Sequence, residues 1–98
     1  MSLAGAEPAA QARIVTIVNQ RGLHARAAAK FVRMAGQFDA AVSVNKDSEE
    51  VSGLSIMGLM MLAASPGTAL TLKATGRQAG EVLDALAKLV AERFGEDE

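Results

Sequence analysis

Gly22-Leu23-His24-Ala25-Arg26 holds the single histidine of the chain, flanked by Arg21 and Arg26. Helical spacing begins directly after it, so His24 falls at a helix N-terminus, where several backbone N–H groups lack intrahelical partners. Ordinary helix starts satisfy one of these donors with Ser, Thr, Asp or Asn and favour acidic side chains beside the positive end of the macrodipole. Here Leu23-His24-Ala25 supplies none of these caps, and the first turn carries Arg26 instead of a carboxylate. Such a start suits an anion: a phosphoryl group can accept from the N–H groups of Ala25, Arg26 and Ala27 and from the Arg26 guanidinium together. A neutral imidazole at that point has a lone pair able to attack phosphorus. The pattern points to phosphoryl chemistry, with His24 as transient acceptor and Arg26 steadying the phosphate. A histidine before a helix is by itself more often a solvated or capping residue. It is the conjunction of the uncapped start, the two arginines and the Gly22 turn that favours chemistry.

Composition narrows the remaining possibilities. With 98 residues, half of them apolar, the chain suffices for one domain with one small core. A net charge of -1, three phenylalanines and no tyrosine or tryptophan leave neither a basic stripe nor a stacking platform, which argues against nucleic acid. Without cysteine, and with one histidine, neither a disulfide nor a metal site is expected. No cofactor is implied. Met1 to Ala12 lacks the basic start and continuous apolar stretch of a signal peptide, and no later segment approaches a membrane span. A cytoplasmic protein without a membrane partner is expected. Residues 1–12 read as a disordered lead-in, 13–94 as one domain and 95–98 as an acidic tail that frays.

The elements that must position His24 follow from periodicity. Arg13 to Val18 is a β-branched run expected to form a buried strand. From Ala25, the residues Ala28, Phe31, Val32 and Ala35 mark the apolar stripe of a helix closed by Gly36. Ala40, Val42 and Val44 alternate with polar or small residues, and Lys46-Asp47-Ser48-Glu49 forms a polar turn into a strand over Val51 to Leu54. Ser55 can N-cap a short helix, Ile56 to Ala63, which runs into the turn Ala64-Ser65-Pro66-Gly67. A strand from Thr68 to Ala74 follows, then a weak capping box of Thr75 with Gln78. The last helix, Gln78 to Phe94, carries the stripe Val82, Leu86, Leu89, Val90 and Phe94. The order βαββαβα with amphipathic helices and half-polar strands predicts an α+β open-faced sandwich. Three helices would lie on one face of a mainly antiparallel four-stranded sheet.

As an N-cap, Ser55 has a complete structural explanation. A phosphate there would nonetheless be accommodated by the helix end and would place a dianion beside any docking surface. Ile56, Met57, Met60 and Met61 cannot all face the core, because one short helix buries one stripe. An exposed, adaptable Met/Ile patch around Ile56, Met57 and Met60 reads as a docking face, bordered by Arg21, Lys30 and Phe31.

The segment Gly22-Leu23-His24-Ala25-Arg26-Ala27-Ala28-Ala29-Lys30-Phe31-Val32 resembles the active-site segment of HPr, the histidine-containing phosphocarrier of the bacterial phosphoenolpyruvate-dependent phosphotransferase system. Ser55-Ile56-Met57-Gly58-Leu59-Met60 resembles its regulatory-serine segment, and the likeness covers about Arg13 to Phe94. The resemblance implies that His24 takes a phosphoryl group from enzyme I on Nδ1 and passes it to an enzyme IIA component of sugar or nitrogen type. It implies a carrier and not an enzyme, with Ser55 a site for an HPr kinase/phosphorylase. Many members have proline where this chain has Ala27, and alanine there is similar to the nitrogen-related branch. A carrier meeting two partners in turn has little need to be other than a monomer. The competing expectation is a non-catalytic small-ligand or protein-interaction domain of the regulatory α/β-sandwich kind, with no role for His24. An autonomous enzyme ranks last, since no second titratable group accompanies His24 in the sequence.

Overall fold

Side-chain alternation decides which face of the sheet the helices cover. Val15, Val42, Val44, Leu70, Leu72 and Ala74 all point one way and are buried, while Thr16, Ala41, Lys73 and Thr75 point the other way and are exposed. The computed structural model describes residues 10–98. It consists of β1 (Gln11–Thr16), α1 (Ala25–Ala35), β2 (Ala41–Lys46), β3 (Glu49–Ser52), α2 (Ile56–Met61), β4 (Ala69–Thr75) and α3 (Ala79–Ala91), followed by a 3₁₀ turn, Arg93–Gly95. The strands lie in the order β1-β4-β2-β3 with every neighbouring pair antiparallel. The expected βαββαβα open-faced sandwich is thus the fold of the chain. Its core joins Ala27, Ala28 and Phe31 of α1, Leu59 of α2 with the adjoining Leu62, and Val82, Leu83, Leu86 and Val90 of α3 to the buried sheet face. Each large apolar side chain so enclosed contributes about 2 kcal/mol.

Several expectations need correction. The first strand is not fully buried: β1 lies at the sheet edge, and Ile14, on the uncovered face, is 70% exposed. β1 also begins at Gln11, because Gln11 and Ala12 pair with Ala74 and Lys73 of β4. These two residues belong to the sheet and not to a lead-in; residues 1–9 of that expected lead-in lie outside the described residues. The polar turn tightens to two residues, Asp47 and Ser48, with Lys46 opposite Glu49, so β3 starts two residues before Val51. Asp47 takes a left-handed φ of 55° there, a conformation that a short polar side chain tolerates. No capping box forms between Thr75 and Gln78: the Gln78 side chain instead accepts from the Asp39 N–H at 2.8 Å and donates to Glu81 at 3.1 Å.

The last helix stops at Ala91, short of Phe94. Arg93 and Phe94 adopt left-handed φ of 59° and 54°, which reverses the chain and turns the Phe94 ring into the core. The tail that follows, expected to fray, is hydrogen-bonded to the loop before α1. The Lys30 ammonium donates to the Phe94 carbonyl at 2.6 Å, and the Gln20 N–H donates to the Glu98 carbonyl at 2.5 Å. The tail is thereby laid across the start of α1.

Candidate functional site

The loop between β1 and α1 is shaped by Gly22. With φ of 67°, it adopts the left-handed region, and a Cβ at this position would stand 2.5 Å from the Ala64 carbonyl oxygen. Leu23 donates its N–H to that same carbonyl at 2.9 Å and buries its side chain. The turn is therefore locked against the segment after α2, and the next residue, His24, emerges at a fixed angle.

His24 is itself the N-cap of α1, with extended backbone angles of -78° and -179°. The helix start is thus not uncapped, as the residue types suggest. The imidazole takes the place of a Ser or Asp side chain, with Nδ1 accepting from the Arg26 N–H at 3.3 Å. As expected, no acidic side chain occupies the first turn. On the far side of the ring, Nε2 stands 2.5 Å from the Glu96 carboxylate. An ionised carboxylate can only accept and a backbone N–H can only donate, so this pair of contacts assigns the proton to Nε2 and the lone pair to Nδ1. Sequence reasoning missed both Glu96 and its anchor. Asn19, the one buried polar residue among those described, donates through Nδ2 to Glu96 at 3.1 Å and to the Gly22 carbonyl at 2.8 Å. An asparagine after a strand reads as ordinary turn chemistry, and a glutamate in an acidic tail carries no spacing signal.

Burial of the Glu96 carboxyl raises its pKa, but the hydrogen bonds from His24 and Asn19 and the electrostatic attraction of His24 and Arg21 outweigh it. Glu96 is held below its ordinary value of 4.5. Beside this pair, the cations Arg21, Arg26 and Lys30 line a cleft of about 480 Å³ together with Gln20 and the acidic tail from Gly95 to Glu98. A second cleft of about 240 Å³ brings Arg21 and His24 together with Ala63, Ala64 and Ser65. The segment that follows α2 thus shares a surface with the histidine. Ala25 and Arg26 are exposed, and Ala27 is buried beneath them.

On α2, Ser55 is the N-cap, its Oγ accepting from the Gly58 N–H at 2.9 Å. Leu59 turns inward, whereas Ile56, Met57, Met60 and Met61 are all exposed, Met57 at 70%. Phe31, expected to border this patch, is instead buried in the core, because α1 directs its apolar stripe at the sheet. Among the described residues no cluster of three metal-ligating side chains occurs, and no helix is long and apolar enough to cross a membrane.

A small open-faced α+β domain with a histidine capping the first helix defines a class of phosphoryl carriers, and comparison with known proteins narrows it. A family model described as "PTS HPr component phosphorylation site" matches residues 11–92. Phosphocarrier protein HPr of Cupriavidus necator is 48% identical over 86 residues, which are 88% of this chain and 97% of that one. Phosphocarrier protein NPr of Shewanella violacea is 42% identical over 84 residues, covering 86% and 92%. The crystal structure of HPr-C-His from Thermoanaerobacter tengcongensis superposes with a TM-score of 0.85 at 40% identity, covering 90% of this chain and 99% of that one. The chain belongs to the HPr family of phosphotransferase-system phosphocarriers.

Proposed function

We propose that His24 accepts a phosphoryl group on Nδ1 from enzyme I and passes it to an enzyme IIA component, reacting as a stoichiometric carrier in the cytoplasm. The observation that carries this reading is the orientation of the ring: Nε2 faces Glu96, and Nδ1 faces the helix start through the Arg26 N–H. As the Nδ1 lone pair forms the P–N bond, the bond from phosphorus to its donor breaks with its electron pair. The phosphoryl oxygens then take over the role of the Nδ1 cap, accepting from N–H groups among Ala25, Arg26 and Ala27 and from the Arg26 guanidinium. Partial neutralisation of this kind holds the group while leaving the P–N bond labile enough for onward transfer.

Partners dock, on this reading, on Arg21 and the exposed residues Ile56, Met57 and Met60 of α2, the helix that packs against α1. Ser55 is a regulatory site for an HPr kinase/phosphorylase, where a phosphate would accept from the same helix end that its hydroxyl now caps. Ala27 favours the nitrogen-related branch for the output, and an NPr is among the relatives. Intact-mass measurement at alkaline pH, after incubation with phosphoenolpyruvate and either a sugar-type or a nitrogen-type enzyme I, tests the carrier reading. One phosphoryl group is expected on the wild type and none on His24→Ala. If the wild type gains no mass from an active enzyme I, the interaction-domain reading takes its place.

A further inference from the structure

We infer that Glu96 is a positioning residue for phosphoryl transfer, its carboxylate anchored by Asn19 so as to keep the proton on Nε2 of His24 and leave Nδ1 unprotonated as the nucleophile. The inference deepens the carrier reading and rests on it. Both oxygens of Glu96 are engaged, Oε2 with His24 and Oε1 with Asn19. The pair is largely withdrawn from water, with 18% of the His24 side chain and 14% of the Glu96 side chain accessible. Screening that weakens surface ion pairs is correspondingly reduced. Asn19 is in turn fixed to the Gly22 carbonyl, in the turn that sets the direction of His24. Tail, turn and acceptor thus form one hydrogen-bonded unit.

The same contact acts during transfer. When the Nδ1 lone pair forms the P–N bond, the donor's bond to phosphorus breaks and its electron pair stays with the donor, while no proton leaves His24. The ring passes from neutral to positively charged, with its remaining proton on Nε2, facing a carboxylate held at hydrogen-bond distance. Glu96 therefore gains attraction for the ring as the new bond forms, the condition under which an interaction accelerates a step instead of merely stabilising the resting state.

The test compares the wild type, Glu96→Gln and Asp97→Asn, each variant removing one negative charge from the tail. Two quantities are read: the Nε2–H proton resonance of His24 by NMR, and the initial rate of phosphorylation by phosphoenolpyruvate and enzyme I. In the wild type and in Asp97→Asn, the resonance should lie downfield and exchange slowly with water. In Glu96→Gln it should be lost, and phosphorylation should slow about 10- to 100-fold, by analogy with removal of the partner that orients a metal-binding histidine. A wild-type rate in Glu96→Gln, an unchanged resonance in that variant, or an equal slowing in Asp97→Asn would each overturn the inference. A wild type that active enzyme I cannot phosphorylate would fail the carrier reading itself. That result is told apart from a failure of Glu96 alone, because in the latter the wild type is phosphorylated normally.

Discussion

At the scale of single residues, the site depends on positions where an alternative side chain has no room or no chemistry. Gly22 is the clearest of these. Its φ is left-handed, and any Cβ it carried would stand 2.5 Å from the Ala64 carbonyl oxygen, so Gly22→Ala must both strain the backbone and push apart two loops. Thermal or urea unfolding should show a loss of about 2 kcal/mol or more, and the His24 ring, whose backbone follows this turn, should lose its fixed contact with Glu96. The roles proposed for His24 and Arg26 can be inferred from their types and spacing, because one imidazole between two arginines at a helix start suits an anion. The roles of Asn19 and Glu96 are not legible, because 77 positions separate them and no local pattern relates a turn asparagine to a tail glutamate.

At the scale of elements, α2 is the informative case. Six residues long, it buries Leu59 and leaves four large apolar side chains in water, more than a short helix needs for stability. Met57 makes a direct test of this face. Because it is 70% exposed, Met57→Glu should change unfolding stability by no more than about 0.5 kcal/mol, while phosphoryl transfer from enzyme I and to enzyme IIA should both slow. Equal wild-type rates in both directions would remove the docking role. Element type and order follow from periodicity, since Phe31, Val82 and Leu86 recur at helical spacing and Leu70, Leu72 and Ala74 at strand spacing. Element ends do not: α3 stops at Ala91 because two left-handed residues, Arg93 and Phe94, reverse the chain, and neither residue type advertises that conformation.

For the molecule as a whole, the C-terminal tail is tied to the first loop, so distant parts of the chain meet at the site. This tie has a pH dependence with a definite sign. Glu96 is held below its ordinary value of 4.5 in the fold, so its contribution to stability is fully present above that value and is lost as the pH falls through the lower, folded-state one. Wild type should therefore unfold at a higher temperature than Glu96→Gln near neutral pH, and the gap should close as the pH drops below about 4.5. A gap that stays constant under strongly acidic conditions would show that the carboxylate charge is not what secures the tail. The fold class, the histidine and its arginine can be read from the residues in order, because periodicity and helix-end chemistry act over a few neighbouring positions. That β1 is an edge strand, that the imidazole caps its own helix and that the tail orients it emerge only in three dimensions. Those outcomes depend on which segments become neighbours in space, and that is set by the packing of the whole sheet against its helices.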